Sequence, residues 1–441
     1  MKILRILAVL LIAAVVIVAF GGILLRHSIK SEIAHNHERL LQEKYNSTLE
    51  TRYFSKFKNT EEKHSFYVPD DESPPLHVDI RNRALFGRVR ILIAANENNI
   101  SYQAYGKDFG TTSTIPIEKG EYYLTIDLTE ARFGACSIGL KGNFFWNPKL
   151  DPEVYSTVKP KGGEEFHWPY LLYIPEENIR PVLLVAPNNS GRSTDDFRIH
   201  EVLARRQILR LVRDFGRLGI PILVPLFPRP KSDWRIYTHA LDRDSLLTEK
   251  KPIKRLDLQL LAMIDHASNI LREKGLTIDK KILLFGFSAS GMFVNRFSFL
   301  HPDRVLAVAC GSPGGWPIIP VGDYNGQTMQ YPIGVADITS FTGTIFDLDD
   351  VRRVPMFLFL GSEDANDSVI YRDSYEKDDE DLIFSLFGET LQQRWAIAEK
   401  IYASSGCQSK FAIYEGVGHN IINEMKSDIV AFYKKQIDRI D

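Results

Sequence analysis

The residues with the clearest chemical potential occupy positions 281–292, Lys-Ile-Leu-Leu-Phe-Gly-Phe-Ser-Ala-Ser-Gly-Met. An apolar run reads as a buried strand, a Gly-x-Ser-x-Ser-Gly turn follows, and a helical pattern begins. A serine on such a turn is held in a strained backbone that presents its hydroxyl, and small residues two before and two after it relieve the crowding. Gly286 and Ser290 fill those places for Ser288. Ser290 is the rival nucleophile, but Met292 stands two residues beyond it, where a small residue is needed. The new helix brings backbone N–H groups, Ala289 first among them, toward a developing oxyanion. The plain alternative is a glycine-and-serine helix cap after a buried strand.

A serine hydroxyl is a weak nucleophile without a base. The apolar stretch at 410–414 runs into Glu415-Gly416-Val417-Gly418-His419-Asn420, which sets a histidine on a glycine-rich loop. His419 is therefore the candidate base, against the alternative of an ordinary surface histidine. An orienting acid belongs after the preceding strand, where Met356-Phe357-Leu358-Phe359-Leu360 leads into Gly361-Ser362-Glu363-Asp364-Ala365-Asn366-Asp367. Asp364 is the choice, Asp367 the alternative acid, and Glu363 ranks below both. The chain order Ser288, Asp364, His419 is that of the Ser…Asp…His arrangement in which each member follows a strand. A second oxyanion donor is expected after the strand Val182-Leu183-Leu184-Val185-Ala186, from the N–H of Ser190 or, next, Asn189. The alternative there is an ordinary polar turn.

At this point the sequence resembles the α/β-hydrolases, and within them esterases similar to polyhydroxyalkanoate depolymerases and feruloyl esterases. The resembling stretches are GFSASGMFVNRFSFLHPDRVLAVACGSPG (286–314), VLLVAPNNSGRSTDDF (182–197), FLFLGSEDANDSV (357–369) and YEGVGHN (414–420). Together they cover residues 165–441 in outline. Where that group often reads His-Gly after the early strand, this chain has Asn188 and Asn189. The resemblance implies ester hydrolysis through an acyl-serine intermediate, without metal or organic cofactor; it does not fix the substrate.

These groups need a scaffold that brings distant segments to one edge. From 165 to 441, candidate strands at 169–174, 181–186, 220–225, 281–285, 305–310, 355–360 and 410–414 alternate with helical patterns at 200–216, 254–274, 291–300, 390–405 and 423–438. That alternation predicts a mostly parallel sheet with helices on both faces. An insertion over about 314–353 carries Trp316, Tyr324, Tyr331, Phe341 and Phe346 and is expected to cap the pocket; its aromatic residues could line an apolar substrate site or form the cap's own core. Residues 71–164 show short β-type runs broken by Gly, Asn and Asp, which predicts a small β-sandwich-like domain that either braces the catalytic domain or binds a polymer or partner. Residues 31–70 show near-3.6 spacing and are expected to form a juxtamembrane helical linker.

Ile6 to Leu25 is an apolar run without a charge, flanked by Lys2, Arg5 and Arg26. Twenty residues at about 1.5 Å each span the bilayer core. Residues 1–30 are thus expected to be a single-pass membrane anchor with the body on the periplasmic or extracellular side, or a signal whose cleavage near Ala19-Phe20-Gly21 would release the protein. With 54 basic and 56 acidic side chains the net charge is −2, which gives nucleic acid no electrostatic footing. Cys136, Cys310 and Cys407 are too scattered for a zinc site or a disulfide framework. The expectation is a serine hydrolase acting on a small or polymeric ester. A serine peptidase, or a non-catalytic membrane-tethered binding protein of the same fold, stands as the alternative.

Overall fold

The computed structural model describes residues 47–54, 61–69, 73–96, 99–128, 131–146, 154–161, 165–188 and 193–440. The chain divides into two compact units, Met1–Leu150 and Asp151–Asp441.

The first unit is antiparallel throughout its described strands. One sheet takes β1 (Ser47–Phe54), β8 (Arg132–Lys141), β3 (Leu76–Phe86) and β6 (Asp108–Ile115) in that order. The other takes β5 (Asn99–Gly106), β4 (Val89–Asn96), β7 (Gly120–Asp127), β2 (Glu61–Val68) and β9 (Phe145–Trp146). Period-two alternation builds the core: Val89, Ile91 and Ile93 on β4 and Tyr122, Leu124 and Ile126 on β7 are buried, with Val78, Ile80, Ile138 and Leu140 from the other sheet in the same cluster. The helical linker expected over 31–70 is corrected here. All eight residues of β1 pair with Gly134–Lys141 and all eight of β2 with β7. A full ladder to a distant strand outweighs a local 3.6 spacing in a segment rich in Thr, Tyr and Phe. The β unit therefore begins before residue 71. The unit ends at Leu150, short of the expected boundary at 164, because β10 (Ser156–Val158) pairs with β11 (Tyr170–Tyr173) within the second unit.

The second unit is built on an eight-stranded sheet in the order β10, β11, β13 (Ile222–Pro225), β12 (Leu184–Val185), β14 (Ile282–Phe287), β15 (Val305–Gly311), β18 (Met356–Gly361) and β19 (Ser409–Tyr414). From β13 to β19 every pairing is parallel; β10 and β11 are antiparallel. Parallel strands covered on both faces must be apolar on both, and β14 is buried from Ile282 to Gly286. Its alternate residues part to opposite sides. Leu283 and Phe285 join the cluster that includes Ile208 and Leu211 of α1 (Phe197–Phe215) and Ile429 and Tyr433 of α9 (Asn423–Ile437). Ile282 and Leu284 join Leu260 and Met263 of α3 (Leu256–Glu273) and Phe293 and Phe297 of α4 (Ala289–Leu300). Each such side chain contributes roughly 2 kcal/mol by burial. This mostly parallel sheet is the architecture that the α/β-hydrolase resemblance implies.

Short elements fill the insertion between β15 and β18: the hairpin β16 (Asp323–Tyr324) and β17 (Gln327–Thr328), and α5 (Ile338–Thr342) and α6 (Leu348–Arg352). Its aromatic residues belong mainly to a core. Trp316 stacks on Phe387 at 4.1 Å between centroids, Tyr331 lies 5.5 Å from Phe341, and Tyr331 Oη donates to Leu241 O. Phe387 ends α7 (Lys377–Phe387), and α2 (Arg243–Leu247) and α8 (Leu391–Ser404) complete the helices used below. Among the described residues no helix is long and apolar enough to cross a membrane; the run from Ile6 to Leu25 lies outside them.

Candidate active site

Ser288 stands between the last residue of β14 and the first of α4, with φ 60° and ψ −123°. A non-glycine residue at positive φ costs roughly 1–3 kcal/mol and persists only where its surroundings enforce it. Here they do. The Ser288 N–H donates to Gly311 O at 2.9 Å, and its carbonyl accepts from Met292 N at 3.0 Å. Gly286 lies so close to the next turn that a Cβ there would run into the Ser290 carbonyl. Ser290 is buried, and its hydroxyl donates to Phe287 O and accepts from Phe287 N, both at 3.0 Å. It is a brace of the turn, which leaves Ser288 as the serine presented. The amides of the first turn of α4, Ala289 among them, have no intrahelical acceptor and carry the positive end of the helix dipole.

Asp364 follows β18 and is 2% exposed. His419 Nδ1 lies 2.8 Å from its Oδ2 and 3.1 Å from its Oδ1. Two features bring the loops together. Glu363 N donates to Val417 O at 2.9 Å, and Gly361 passes so near the histidine loop that a Cβ would strike the carbonyls of Val417 and Gly418. Burial alone would raise the Asp364 carboxyl. The hydrogen bonds from His419 and from Asn366 N (2.9 Å to Oδ1) outweigh it and hold the carboxyl below its ordinary value. At the far side of the ring, Asn366 Nδ2 lies 3.2 Å from His419 Nε2. An amide donor there makes Nε2 an acceptor, so the proton sits on Nδ1 and points at Asp364.

The His419 ring packs on Phe287, the residue before the nucleophile candidate, at 4.8 Å. Ser288, Asp364 and His419 each follow the C-terminal end of a strand, β14, β18 and β19 in turn; His419 is hydrogen-bonded to Asp364, and among the described residues no hydrogen bond joins it to Ser288. Asp367 does not reach the histidine: its Oδ2 pairs with the buried Arg394 and its Oδ1 accepts from Val369 N at 3.0 Å. Glu363 is exposed.

Asn189 and Ser190 lie outside the described residues. The residues flanking them are tied down. The buried Asn188 donates to Phe227 O at 2.8 Å and accepts from Phe227 N at 3.1 Å, and Thr194 N donates to Arg229 O at 2.9 Å. All three cysteines are free thiols, and no cluster of three or more metal-ligating side chains occurs among the described residues.

Four residues around the acid carry no sequence motif. Asn366 contacts His419. Gln392 Nε2 donates to the carbonyls of Ser362 (3.0 Å) and Asp364 (3.2 Å). Ser312 and Trp395 line a small cavity with Asp364, Asn366, Trp316, Leu360 and Leu391. The Ser312 hydroxyl is near enough to help depress the carboxyl, though no well-formed hydrogen bond joins them.

No protein-family model matches the chain, and no curated protein matches it. Solved structures do resemble it at low identity. A poly(aspartic acid) hydrolase-1 from Sphingomonas sp. KT-1 is 16% identical over 64% of this chain and 98% of its own, with a TM-score of 0.40. Est1E from Butyrivibrio proteoclasticus is 13% identical over 64% and 99%, with a TM-score of 0.33. A thermostable esterase is 14% identical over 84% and 96%, with a TM-score of 0.37.

Proposed function

We propose that this chain is a serine hydrolase that cleaves carboxylic esters. The observation that carries the reading is the Asp364–His419 hydrogen bond, with Nε2 left as the acceptor, set beside a strained serine at a helix N-terminus. In the reaction, Ser288 Oγ bonds to the ester carbonyl carbon while its proton passes to His419 Nε2. Negative charge gathers on the carbonyl oxygen, where the Ala289 N–H and a donor from Asn189 or Ser190 meet it. The C–O bond to the alcohol then breaks, and the imidazolium returns its proton to the departing oxygen. Water repeats the sequence on the acyl-serine. Asp364 fixes the tautomer and favours the imidazolium throughout.

The test is labelling with a fluorophosphonate, with hydrolysis of p-nitrophenyl esters read in parallel. Ser288→Ala is expected to abolish labelling and lower kcat by roughly 10⁴-fold or more. Unchanged labelling in that variant would remove Ser288 from the role. Activity on aminoacyl amides exceeding that on esters would instead identify a peptidase. The apolar run from Ile6 to Leu25 supports membrane attachment as a further part of the reading; its deletion should move the protein from the membrane fraction to the supernatant.

A further inference from the structure

One face of helix α8 converges on the acid loop. Leu391, Gln392, Arg394 and Trp395 fall at positions i, i+1, i+3 and i+4, which share a side of a helix. The helix start is pinned by a reciprocal cap: Thr390 Oγ1 accepts from Gln393 N, and Gln393 Oε1 accepts from Thr390 N. From this fixed base Gln392 donates to the carbonyls on either side of Glu363. Arg394 is fully buried, pairs with Asp367 and lies 5.3 Å from the ring centroid of Phe384. Asp367 is held in turn beneath Gly315, where a Cβ would strike its carboxylate. The loop is therefore gripped at Ser362, Asp364 and Asp367.

Trp395 adds a contact of another kind. It is 4% exposed, and its indole N–H has no hydrogen-bond partner. The cavity it lines also receives Asp364 and Ser312, whose hydroxyl is likewise buried without a well-formed bond. An unpaired buried donor costs about 1–3 kcal/mol. Two donors beside one carboxylate, with room between for about one water molecule, point to that carboxylate as their acceptor.

We infer that helix α8 is the positioning element of the acid–base pair: Gln392 and Arg394 fix the backbone that carries Asp364, and the Trp395 N–H supports its carboxylate across the small cavity. This rests on the reading of Asp364 and His419 as that pair. Among the described residues the charged group bonded to His419 is Asp364; on the two loops Asp367 is paired with Arg394, and Glu363 and Glu415 are exposed. The two contacts act with opposite sign. A donor on the Asp364 carboxylate weakens its pull on the imidazole proton, so losing the donor strengthens the Asp364–His419 bond. Loosening the loop weakens that bond.

Trp395→Phe removes the N–H and keeps most of the ring. Gln392→Met removes the amide donor and keeps the length. In the full-length protein and both variants the downfield Nδ1–H proton of His419, the signature of its bond to Asp364, would be read by NMR. The pH profile of kcat/KM on a p-nitrophenyl ester is read alongside. Trp395→Phe is expected to shift the acid limb of kcat/KM upward and leave the downfield proton sharp; Gln392→Met should shift that limb downward and broaden the downfield proton. Kcat should fall several-fold with KM little changed. Variants that melt earlier while keeping the parent's pH profile and downfield proton would overturn the inference and leave α8 as packing alone. Because the NMR readout needs no turnover, a parent chain without Ser288-dependent activity would sink the hydrolase reading separately.

Discussion

Gly361 shows how one missing side chain sets the geometry of the site. It is the last residue of β18, and its Cα faces the carbonyls of Val417 and Gly418. A Cβ in that space displaces the loop that carries His419, and a displacement near 1 Å can cost about 100-fold in rate. Gly361→Val is therefore expected to lower kcat/KM by about 100-fold or more, with the far-ultraviolet dichroism of the parent; undiminished turnover would show that the histidine loop tolerates the shift. Ser288 and His419 stand out in the sequence as candidates because their signals are local: a buried run, a small-residue turn, glycines around a histidine. Asp364 was separable from Asp367 by its place nearest the strand end, and the buried Arg394 supplies the physical reason that Asp367 is engaged elsewhere. Gln392, Arg394 and Trp395 were not legible, because on the chain they read only as a helix face, and their partners lie about 30 residues away.

At the level of elements, helix α4, which follows Ser288, is anchored at its far end. Asp257, in the first turn of α3, is fully buried and accepts from Arg255 at 3.0 and 2.7 Å and from His301, the C-cap of α4, at 2.9 Å. Arg255 also donates to Phe341 O at 2.9 Å, which ties the insertion to the same point. Burial opposes ionisation of Asp257, but His301 and Arg255 outweigh it and bring the carboxyl down to about 2. An unfolded aspartate titrates near about 3.9. The folded chain therefore binds fewer protons in that interval, so this stabilisation is complete above about pH 4 and is lost as pH falls toward 2. Asp257→Asn should cost about 3 kcal/mol at neutral pH and flatten the acid limb of the stability curve, measured by urea unfolding from pH 2 to 7. An unchanged slope would show that other carboxyls govern acid unfolding. The central strands of the large sheet, β12, β13, β14, β15 and β18, were readable from apolar runs bounded by turns, since they are buried along nearly their whole length. β1 and β2 were not, because their partners β8 and β7 stand far along the chain and a short segment's spacing carries no record of a distant ladder.

For the molecule as a whole, the division near residue 150 separates two cores of different construction. Among the described residues, the β unit's cluster draws on residues from Phe66 to Trp146, and the clusters on the two faces of the large sheet on residues from Val154 onward. Ser288, Asp364, His419 and the α8 contacts all belong to the second unit. A domain of about 300 residues buries roughly three quarters of its unfolded surface, enough to fold by itself. A chain starting at Asp151 is therefore expected to fold, with the fluorophosphonate labelling rate at Ser288 within about threefold of the full chain and a single cooperative melt. The full chain should show a second transition belonging to the β unit. If the shortened chain folds, by dichroism and melting, yet labels far more slowly, the β unit contributes to the reactive geometry. If it fails to fold, the two cores are one thermodynamic unit despite their separate composition.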